Sequence, residues 1–82
     1  MKRRDKVEIM AEILNACVHG ANKTAIVHKA NLNFRIVDPY LEFLAQKGLI
    51  SVHHKGGTSY ETTNNGMMLL ERFTNIEQTL QE

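Results

Sequence analysis

Eighty-two residues, 43% of them apolar and 23% charged, describe one small domain, residues 1–82, with a modest core and no run long enough to span a bilayer. The net charge of +1 argues against a strongly basic packaging protein, and the single Cys17 excludes an internal disulfide and fits a reducing cytosol. The charge is unevenly spread. Residues 1–35 carry seven Lys/Arg against three acids, a balance of +4, and residues 36–82 carry three against six, a balance of −3. A basic footprint on one side of a near-neutral molecule follows.

Residues 1–6 form a charged arm without apolar periodicity, and Lys2, Arg3, Arg4 and Lys6 are cations that could track phosphates. Asp5 to about Val18 reads as the first helix. Val7, Met10, Ile13, Leu14 and Cys17 share a side, with Glu8, Glu12 and Asn15 between them. Those polar interruptions also exclude a signal-peptide core. Asp5 and Glu8 have capping-box spacing, and Gly20 is a candidate terminator. Ala21–Lys23 is a candidate extended piece. Thr24 is the expected cap of a brief second helix, Ala25–Ala30, which buries Ile26, Val27 and Ala30. Asn31-Leu32-Asn33 is a turn: Asn31 tolerates a left-handed backbone, Leu32 tucks inward and Asn33 caps the third helix.

The third helix carries a stripe of Phe34, Val37, Leu41 and Leu44, expected to be buried. The stripe stays in phase across Pro39, so the reading is one helix, bent at the proline, rather than a shorter one starting there. Arg35, Pro39, Glu42 and Gln46 fall on the opposite face. Gly48 ends the helix. Leu49–His54 and Thr58–Thr62 are strands joined by the tip Lys55-Gly56-Gly57, with Ile50, Val52, Tyr60 and Thr62 facing inward. Asn65-Gly66 is a hairpin dipeptide, but Met67–Leu80 keeps a helical period. Thr63 is therefore read as a cap, with Gly66 in the first turn of a last helix where another backbone passes close by. Met67, Leu70 and Phe73 can cover the core. Leu69, Phe73, Ile76 and Leu80 form a heptad-like seam suited to a partner helix, so a homodimer is expected.

This order of elements predicts an α+β, mainly α fold: a three-helix core, a two-stranded wing and a C-terminal helix over 64–81, the arrangement of a winged helix-turn-helix. In that frame the third helix enters the major groove. Asn33 and Arg35 are residue types that make bidentate contacts to adenine and guanine, and Ile36 lies in the same first turn. Lys23, Thr24 and Lys29 on the second helix and His54 and Lys55 on the wing are the accompanying candidates, together with Arg3 and Arg4 of the arm. No metal site is expected, because His53 and His54 point to opposite faces of a strand and His19 and His28 lie in separate elements. No catalytic pairing or phosphate loop stands in the chain, so neither enzyme activity nor a cofactor or small-molecule ligand is expected.

The segments KTAIVHKANLNFRIVDPYLEFLAQKGLI and YETTNNG resemble a family of small archaeal winged-helix DNA-binding proteins. The pattern Lys29-Ala30-Asn31-Leu32-Asn33-Phe34 with the later Thr63-x-x-Gly66 carries the resemblance, supported by Leu44-x-x-x-Gly48-Leu49-Ile50. It covers about residues 7–72. The resemblance implies double-stranded DNA as partner and a cytoplasmic, nucleoid-associated transcriptional regulator or a chromatin-type architectural protein. It also implies that dimerisation through the C-terminal helix is available. The near-neutral charge favours the regulator. A protein-docking winged helix is the alternative.

Overall fold

The computed structural model describes residues 4–81. Its elements run α1 (Lys6–Ala16), α2 (Lys23–Ala30), α3 (Phe34–Gln46), β1 (Ile50–His53), β2 (Ser59–Thr62) and α4 (Asn64–Gln81). This is the expected winged helix-turn-helix, with slightly shorter α1, β1 and β2 and a longer α2. The helix starts follow from side chains that satisfy otherwise unpaired backbone N–H groups. Asp5 and Glu8 form a reciprocal capping box on α1. Asn33 Oδ1 accepts from the Ile36 N–H at 3.0 Å. At α2 the cap is Asn22, whose Oδ1 accepts from Ala25 N–H at 2.8 Å, and the helix already includes Thr24. The assignment of Thr24 as cap is thus corrected: Asn22 stands one turn before Ala25 and extended, the geometry a cap requires.

The turns are equally local in origin. Asn31 adopts φ 53°, and Leu32 N–H reaches back to the Val27 carbonyl, closing α2 in a Schellman turn. Gly48, at φ 72°, ends α3 in the same way, with Leu49 N–H on the Leu44 carbonyl at 2.9 Å. Helix α3 is continuous through Pro39. The lost hydrogen bond to the Arg35 carbonyl is offset by the burial of Val37, Leu41 and Leu44 on both sides of the proline.

The core is Ile13, Leu14 and Cys17 of α1, Ile26 and Ala30 of α2, Val37, Leu41 and Leu44 of α3, with Ala21 and Ile50. Several members of the expected apolar set lie outside it, Val7 at the start of α1 among them, which is exposed. Phe34 is half exposed and Val52 is exposed, because the first turn of α3 and the outer part of the wing project beyond the elements that cover their neighbours. Met67 is also exposed, while Leu70 packs on the core.

Strands β1 and β2 are antiparallel, with Ile50 opposite Thr62 and His53 opposite Ser59. Ala21 adds an isolated bridge to Tyr60, with bonds of 2.8 and 2.9 Å, so the extended piece before α2 anchors the wing. The wing is also sewn to α1: Thr62 Oγ1 donates to the Leu14 carbonyl at 2.6 Å, and Thr62 N–H to the Cys17 carbonyl. Thr63 Oγ1 accepts from Gly66 N–H and donates to the Gly48 carbonyl, which joins the start of α4 to the end of α3.

Candidate nucleic-acid interface

The first turn of α3 is the most exposed part of the helix-turn-helix. Asn33, Phe34, Arg35 and Ile36 are all solvent-facing, while Val37 behind them is fully buried. The Asn31 turn aims this end outward and the Asn33 cap holds it helical. Capping occupies Asn33 Oδ1, which leaves its amide N–H2 free to donate. The first turn carries no acid. The nearest acid along the helix, Asp38, is held by Lys23 Nζ at 2.6 Å, a contact that raises the lysine pKa through the hydrogen bond and couples α2 to α3. Sequence spacing alone does not reveal this pair, because its members lie on different helices.

Arg35 and Lys6 flank an open groove of about 560 Å³ whose apolar walls are Met10, Ile36, Pro39, Tyr40 and Phe43. Lys29 is exposed on the last turn of α2, and Thr24 is exposed near its start. At the wing tip Lys55 is exposed, and His54 Nδ1 lies 3.4 Å from Thr58 Oγ1. Arg35, Ile36 and Asn33 therefore share one turn, Lys23, Thr24 and Lys29 share the preceding helix, and His54 and Lys55 stand apart on the wing.

Arg4 has a different place from the one its membership of the arm suggests. Its guanidinium pairs with Glu12 and donates to the carbonyls of Ala30 and, at 2.7 Å, Asn31. These carbonyls close α2, so Arg4 ties the start of the chain to the turn of the helix-turn-helix. Arg3 lies outside the described residues.

Other groups offer little chemistry. Burial pushes the Cys17 thiol up to about 11, against a smaller opposing influence of Lys29, so it stays protonated and unreactive at neutral pH. Among the described residues no three His, Cys, Asp or Glu side chains cluster as metal ligands. No described helix is long and apolar enough to cross a membrane.

A second surface adjoins the first along α3, with Met10 and Phe43 lining both. A groove of about 600 Å³ opens between α1, α3 and α4, lined almost wholly by apolar side chains, among them Val7, Leu14, Phe43, Leu69, Phe73 and Ile76. Along α4, Leu69 and Ile76 are exposed, Phe73 is half-buried and Leu80 is 79% exposed. The seam read from the sequence is thus a real apolar ridge on the helix surface.

Comparison with known proteins agrees with this architecture. No curated protein matches the chain. A solved structure, that of Sso10a-2, a DNA-binding protein from Sulfolobus solfataricus, superposes with a TM-score of 0.81 at 28% identity, covering 94% of this chain and 85% of that one. The winged helix-turn-helix family matches residues 3–81, so nearly the whole fold just described falls within it, and the chain belongs to the winged helix-turn-helix family.

Proposed function

We propose that this protein binds double-stranded DNA with a preference among sequences, and acts as a homodimeric transcriptional regulator. The observation that carries the reading is the exposed, acid-free first turn of α3 presenting Arg35 and the Asn33 amide. Arginine and asparagine supply the paired donors and acceptors that distinguish guanine and adenine in the major groove. Lys29 and Lys55 supply phosphate contacts from the helix before and from the wing. The likeness to a DNA-binding protein of the same fold supports the assignment. The ion pair of Asp38 with Lys23 carries no net charge, so Arg35 sets the sign of this turn.

Dimerisation supports sequence reading by placing two copies of α3 on two half-sites. The ridge Leu69, Phe73, Ile76 and Leu80 is its proposed surface, and a second copy of α4 is the occupant that matches its spacing. A labelled duplex titrated with the protein tests the main reading. Affinity is expected to fall steeply as salt rises, because each neutralised phosphate releases counterions. Binding that is absent, or indifferent to salt, defeats it. The apolar groove beside α4 favours a second reading, a protein-docking module. Recovery of a stoichiometric protein partner, with DNA affinity no better than that of a neutral control protein, would establish that reading instead.

A further inference from the structure

The least expected side chains in the molecule stand on either side of Arg35. Phe34 is 51% exposed and Ile36 40% exposed, although the turns that follow bury Val37, Leu41 and Leu44. Apolar surface of this size gains from being removed from water. Ile36 shares the Arg35 groove with Met10, Pro39, Tyr40 and Phe43, and about half of Phe34 remains open to solvent. What can cover it is limited by the surrounding charge. The turn holds Arg35 and no acid, Lys6 shares the Arg35 groove, and Asp38 is neutralised by Lys23. The occupant must be anionic and carry small apolar groups within reach of the same turn.

Duplex DNA meets both conditions at thymine. Its C5-methyl is the apolar feature of the major-groove edge, set between two lines of phosphates. We propose that Phe34 and Ile36 read thymine through this methyl, so that the preferred sites place A·T pairs beside the base contacted by Arg35. The inference rests on the duplex-binding reading above and names what that surface selects. Side chains of a helix lean toward its N-terminus, so all three project from the end that would meet the groove floor. Successive residues are about 100° apart on a helix, so Phe34 and Ile36 fan to the two flanks of Arg35 and meet different base pairs. Cytosine at either position presents an amino donor to a side chain that cannot accept it. Its desolvation without a partner penalises the wrong base.

The test compares a duplex in which each G·C pair is flanked by A·T pairs with the same duplex built with deoxyuridine in place of thymine, which removes only the C5-methyl. The unaltered protein is expected to bind the thymine duplex about fourfold or more tightly, the worth of roughly one buried methyl group. The combined Phe34→Ala and Ile36→Ala variant is expected to bring that ratio near one. Its helical circular dichroism should not change, because both residues are at the surface. Equal binding of the two duplexes, with salt dependence intact, overturns the methyl reading and leaves duplex binding standing. A thymine preference that survives in the variant overturns the assignment to these side chains. Absence of salt-dependent binding to either duplex overturns both readings.

Discussion

Gly66 shows how one missing side chain positions two elements. A methyl group built there would stand 2.3 Å from the Leu49 carbonyl oxygen and 2.7 Å from Thr62 Cγ2. The first turn of α4 can rest on the strand entrance only because the residue is glycine. In an unhindered helix Gly→Ala stabilises by about 1 kcal/mol. Here the backbone neighbour cannot yield, and Gly66→Ala is expected to destabilise by about 2–3 kcal/mol in a urea titration. Cys17 makes a second prediction at this scale. Its folded-state pKa of about 11 lies above the ordinary 9.0. The folded state resists thiol ionisation, so the contribution is intact below pH 9 and is lost as pH rises toward 11. Unfolding measured across that window should show the unaltered protein losing stability relative to Cys17→Ala, and thiol reagents should react fast only after unfolding.

At the scale of the element, α3 divides its labour along its length. Its later turns are packing: Leu41 and Leu44 are buried against α1 and α2 residues of the core. Its first turn is surface, held by the Asn33 cap and approached by Lys23 through Asp38. Phosphate and base contacts then predict different phenotypes. Lys29→Ala is expected to weaken binding to all duplexes alike and to reduce the salt slope by about one. Arg35→Ala is expected to change the order of preference among duplexes, at a cost of about 1–3 kcal/mol for the favoured one. Selection from a random duplex library with both variants checks the distinction. The continuous helix was legible from the phase of its apolar stripe across Pro39. The exposure of Phe34 was not, because helical period gives the direction of a side chain and not how far the neighbouring helix extends to cover it.

For the whole molecule, the long extent of 44 Å against a shortest of 19 Å reflects α4, whose last turns reach past the core. Ile76 is 60% exposed and Leu80 more so, which makes them poor contributors to the monomer's own stability. Joint replacement, Ile76→Glu with Leu80→Glu, is therefore expected to leave thermal unfolding of the domain nearly unchanged while converting a dimer to a monomer in light scattering. An unaltered protein that is already monomeric at high concentration would remove the homodimer from the proposal.

What the sequence by itself determined is the set of features that depend on nearby residues. The capping box of Asp5 and Glu8, the left-handed Asn31, the Asn33 and Thr63 caps and the glycine-rich wing tip are each set within a few positions. Helical and alternating periods then named the elements and their order. Tertiary structure alone decided the contacts between distant residues. Arg4 meets the end of α2, Lys23 meets Asp38, Ala21 pairs with Tyr60, and Phe34 stays uncovered. Local rules bias a backbone over one or two turns. Which charge is neutralised and which apolar group remains free depends on where packed elements end in space, and that decided which face is available to a partner.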